Sequence, residues 1–196
     1  MSIPDSQIPA YFEPQEASHL YAAQGAFFLV DAARVLELMG ESVLGSDLIK
    51  TLTRKSYPHD LYRQGAVVPA LGVEQGHYTV QVRSTQTEGA QIPLSHILFS
   101  TGFVLGTETG RLLLGNTDRL QHWHPGTLPD GQEEHPLSSF ERTIEVSPGW
   151  YSVTVVAGIR DFGDSGGEEE WVCAFLLDPT ATQPAFTADL AKMLTF

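Results

Sequence analysis

Val73-Glu-Gln-Gly76-His-Tyr78-Thr-Val80-Gln-Val82 and, 73 residues further on, Val146-Ser-Pro-Gly149-Trp-Tyr151-Ser-Val153-Thr-Val155 share the pattern V-x-x-G-x-Y-x-V-x-V. Tyr and Val alternating with polar side chains is the period-two mark of a half-buried strand, and the glycine two residues before the tyrosine marks a tight turn leading into it. A chain that repeats this unit is predicted to be mainly β.

Two further matches extend the repeat in both directions. Upstream, Gly25-Ala-Phe27-Phe28-Leu29-Val30-Asp31 pairs with Gly110-Arg-Leu112-Leu113-Leu114-Gly-Asn116, each an apolar run stopped by a residue suited to turns. Downstream, His96-Ile97-Leu98-Phe99 stands opposite Glu169-Glu170-Trp171-Val172. Trp171 to Leu177 is apolar throughout, as expected of a strand covered on both faces. The expected fold is a duplicated strand-turn-strand repeat forming a pseudo-two-fold β-sandwich or barrel of six to eight strands, with one or two short helices. In that arrangement the Tyr-Val-Val faces of the two repeats meet in a common core.

The expected organisation is one compact unit. Residues 1–20 form an N-terminal arm, 21–107 the first β repeat with a helical insertion near 46–56, and 108–196 the second β repeat with a short C-terminal helix over 187–194. Gly45-Ser46-Asp47 before Leu48, Ile49 and Leu52 supplies the cap of the inserted helix, which Pro58 ends.

At 196 residues and 42% hydrophobic the chain can bury a full core. No long apolar run suggests a membrane span, and the opening residues, with Asp5 and Glu13, lack the pattern of a secretory signal, so a cytoplasmic location is expected. The single cysteine, Cys173, has no internal disulfide partner and sits in an apolar run. Formal net charge is −13, with 11 basic against 24 acidic residues. The second half holds 14 of those acids, the first 10. Such a surface disfavours nucleic acid and anionic membranes and favours encounter with a basic protein partner.

Three constellations could carry chemistry. Gly163-Asp164-Ser165-Gly166-Gly167 is similar to the loop around the nucleophilic serine of chymotrypsin-like serine proteases, and the resemblance implies Ser165 as nucleophile of a hydrolase. Neither His59 nor His96 has the context of that family's catalytic histidine, and Glu168-Glu169-Glu170 replaces the residues that normally follow the motif. The second is His122-Trp123-His124 with His135, where two histidines at i and i+2 of a strand would share a face and could hold a metal for a small-molecule enzyme. Pro125-Gly126 and Pro129-Asp130-Gly131 surround them with turn signals. The third is the acidic loop bearing Asp161, Asp164, Glu168, Glu169 and Glu170, suited to presenting carboxylates to a basic partner, with Trp123 as a contact anchor or a cover for the core.

The layout Gly110-Arg-Leu-Leu-Leu-Gly-Asn116 followed by Ile144-Glu-Val146-Ser-Pro-Gly149-Trp-Tyr151-Ser-Val153 also resembles small bacterial β-sandwich proteins of unassigned function, including immunity and nuclease-inhibitor types. That resemblance implies a β-sandwich binding protein and carries over no catalytic residue. The chain has no Walker loop, no C-x-x-C and no H-E-x-x-H. The leading expectation is therefore a non-enzymatic binding or inhibitor protein with no cofactor, whose acidic surface meets a basic protein.

Overall fold

The computed structural model describes residues 18–22, 25–53, 58–85, 94–121, 123, 142–160, 169–191 and 194. In chain order the elements are β1 (Ser18–Tyr21), β2 (Ala26–Val30), α1 (Ala32–Met39), a single 3-10 turn (Glu41–Val43), α2 (Leu48–Thr53), α3 (Pro58–Arg63), β3 (Val67–Leu71), β4 (His77–Ser84), β5 (Ser95–Thr107), β6 (Arg111–Asn116), α4 (Thr117–Gln121), β7 (Arg142–Glu145), β8 (Gly149–Arg160) and β9 (Glu170–Thr180). The strands form two sheets, a five-stranded one in the order β1-β4-β9-β8-β5 and a four-stranded one in the order β3-β2-β6-β7. Neither sheet closes on itself, so the barrel alternative gives way to a sandwich. No helix among the described residues is long and apolar enough to cross a membrane.

The alternation in the V-x-x-G-x-Y-x-V-x-V segments is the reason the sandwich forms. Tyr78, Val80 and Val82 on β4, and Tyr151, Val153 and Val155 on β8, point to the core shared with Phe27 and Leu29 of the other sheet. The two ridges do not lie against each other, as the sequence suggests. They stand side by side in one sheet with β9 between them, where Phe175 is the register partner of both Val82 and Val155. Phe175 is fully buried, and removing a side chain of that size from a packed site costs about 3–5 kcal/mol. Tyr151 adds a polar fixture, its hydroxyl donating to the Ser147 carbonyl in the turn that leads into β8 (2.5 Å).

A second apolar cluster lies on the outer side of the four-stranded sheet. Phe28 and Val30 of β2 and Val67 of β3 face Val35, Leu48, Leu52 and Leu61 from the helices. Strand β2 is thus covered on both faces, which explains why Ala26–Val30 contains no polar residue. Asp31 ends it and begins α1 directly, its carboxylate accepting from the Arg34 N–H (2.8 Å) as an N-cap. Helix α2 starts after Asp47 as its cap predicts, the Asp47 carboxylate accepting from the Lys50 N–H. Pro58 opens α3 rather than merely closing the helix before it.

Strands β1 to β4 and β5 to β8 occupy corresponding places in the same order. In one sheet β2 and β6 are antiparallel neighbours flanked by β3 and β7. In the other, β4 flanked by β1 and β8 flanked by β5 run in opposite directions on either side of β9. Strand order alone does not establish common descent of the two units. The third sequence match fails: His96–Phe99 lies on β5, an edge strand, whereas Glu170–Val172 begins β9 at the sheet centre. Strand β5, on the first-repeat side of the 107/108 boundary, hydrogen-bonds to β8. Of the expected arm, Ser18–Tyr21 is an edge strand and residues 1–17 lie outside those described.

The C-terminal helix is also corrected. Residues 183–189 form neither helix nor strand and 190–191 make a turn, with Pro184, Phe186, Ala188 and Leu190 half-buried and the intervening residues exposed. This strap runs from Arg63, whose carbonyl accepts from the Gln183 side chain (3.0 Å), to Leu71, whose carbonyl accepts from the Leu194 N–H (2.8 Å). Between those ends its Thr187 and Ala188 N–H groups donate to the Gly102 carbonyl of β5 (2.9 and 3.1 Å). Alternate burial of Pro184, Phe186, Ala188 and Leu190 outweighs the helical spacing of Leu190 and Leu194, because Phe186 and Leu190 have both apolar clusters to pack against.

Candidate functional site

The acidic loop is the connection of a hairpin, since β8 and β9 pair antiparallel from Trp150↔Thr180 to Arg160↔Glu170. Asp161, Asp164, Ser165 and Glu168 lie outside the described residues. Glu169 is exposed at the base of the hairpin. Glu170 is not available in the same way: it accepts from the Thr79 hydroxyl and sits 3.0 Å from the Arg160 guanidinium. That approach is close enough for an ion pair, though not aligned as a hydrogen bond. With both side chains less than a quarter exposed, Glu170 acts as a clasp joining β4, β8 and β9 rather than as a presented carboxylate.

Trp123 answers its own question. It is 2% exposed and packs in the helical layer with Leu120, so it covers the core and presents no ring to a partner. Its backbone is pinned by the Ser46 carbonyl, which accepts its N–H (3.0 Å), and by the Gly45 N–H, which donates to its carbonyl (2.7 Å). The neighbouring His122, His124 and His135 lie outside the described residues. Among the described residues no three His, Cys, Asp or Glu side chains converge as a metal set.

Cys173 is completely buried on β9, and burial pushes its thiol up to about 12. A thiol that stays protonated at neutral pH is a poor nucleophile. Burial likewise raises the hydroxyls of Tyr62, Tyr78 and Tyr151 above the usual tyrosine range.

A knot of side chains that sequence reasoning missed stands at the β5–β8 end of the large sheet. The Arg34 guanidinium lies 4.6 Å over the Trp150 ring, donates through Nε to the Gln64 carbonyl (2.5 Å) and approaches Glu37 at 4.0 Å. The Trp150 ring occupies the space that side chains at Gly65 and Gly106 would fill, with 2.5 Å to the position of a Gly106 Cβ. Trp150 beside the turn glycine Gly149 and Gly106 after the apolar run Phe103-Val104-Leu105 were the signals in sequence. The knot ties α1 to β8 and is architectural, since the cation is already held by a ring and a carbonyl.

Exposed carboxylates recur around the molecule: Glu41, Glu74, Glu108, Asp118, Glu169 and Asp189. Glu74 lies in the turn entering β4, whose Thr79 bonds to Glu170, and so shares an end of the large sheet with Glu169. Among the described residues three basic groups are held by neighbours, Arg34 in the knot, Arg160 by Glu170 and Lys50 by Asp47 at 3.2 Å. No family model matches the chain, and no curated protein or solved structure does either.

Proposed function

We propose that this protein is a non-catalytic binding module of inhibitor or immunity type, whose acidic surface recognises a basic protein partner. The observation that carries the reading is the net charge of −13, joined to exposed Glu74 and Glu169 at the hairpin end of the large sheet. Clustered like charge on a surface raises the encounter rate with an oppositely charged partner and rejects acidic ones.

The test is capture on the immobilised protein. A basic protein is expected to bind at low salt and to be released at about 1 M salt, where the screening length falls to roughly 3 Å. Its retention should fall again for the Glu74→Gln/Glu169→Gln variant. A captured protein that is not basic, or whose retention ignores both salt and the substitutions, defeats the proposal.

A further inference from the structure

We draw no further inference here: the strongest candidate, the apolar patch of Ile97 and Phe99 exposed on the edge strand β5 of the five-stranded sheet, carries nothing because nothing among the described residues shows what covers it.

Discussion

Gly110 sits at φ +70°, and a Cβ there would lie 2.3 Å from the Val146 carbonyl oxygen. Gly110 also accepts from the Val146 N–H (2.8 Å), so the turn before β6 and the turn before β8 are locked backbone to backbone. Gly110→Ala is expected to lower stability by more than the roughly 1–2 kcal/mol that the left-handed conformation alone costs, read as a fall in the urea midpoint. An unchanged midpoint would show that the two turns are not so locked. Tyr151→Phe removes only the bond to Ser147 and should cost about 1 kcal/mol, whereas Tyr151→Ala also empties the core and should cost about 3–5 kcal/mol. The Cys173 thiol should resist a disulfide reagent in the folded protein and react once urea unfolds it, and labelling at the same rate in both states would contradict its burial. At this scale the sequence was readable where a residue's chemistry is local. Burial of Tyr78, Tyr151 and Cys173 follows from alternation and apolar runs, but the pairing of Arg34 with Trp150 joins positions far apart in the chain and leaves no local mark.

Among the elements, α1 shows how a correct residue reading can yield the wrong structure. Asp31 does stop β2, as a turn residue should, yet its carboxylate also caps the helix that follows, and Val35 then buries in the cluster that holds Phe28 and Val30 of β2. Asp31→Ala is expected to cost about 0.5–2 kcal/mol through loss of the cap. Little or no change would show that packing of Val35 and Leu36 alone holds the helix. The strap errs the other way. The helical spacing of Leu190 and Leu194 gave way to an irregular path, because Phe186 and Leu190 pack against two apolar clusters that no local pattern encodes. For the candidate site, the hairpin bearing the acidic run was legible because β8 and β9 are adjacent in sequence. That Glu170 is spent on Arg160 and Thr79 was not, since Thr79 arrives from a strand ninety-one residues away.

At the scale of the whole molecule, the groups whose protons are held most tightly all push stability one way with pH. Cys173 is raised from 9.0 to about 12, and Tyr62, Tyr78 and Tyr151 are raised by burial as well. The folded chain then binds more protons than the unfolded one between the ordinary values and the raised ones. Their contribution is complete below pH about 9 and is lost as pH climbs toward about 12, so the urea midpoint should be lower at pH about 10.5 than at pH about 8. A midpoint that does not move would mean these groups are solvated. The two-layer fold was legible because alternation and the repeated glycine turns recur along the chain. The place of β9 was not, because it enters between β4 and β8 and runs parallel to a strand some ninety residues earlier. That insertion sets a rule for biosynthesis. Until residues 170–180 have left the ribosome, β4 and β8 each keep an unpaired edge, so a stalled nascent chain offers two open templates for aggregation. Holding those edges apart would fall to chaperones, and the slow step in refolding should be the closure of that distant pairing.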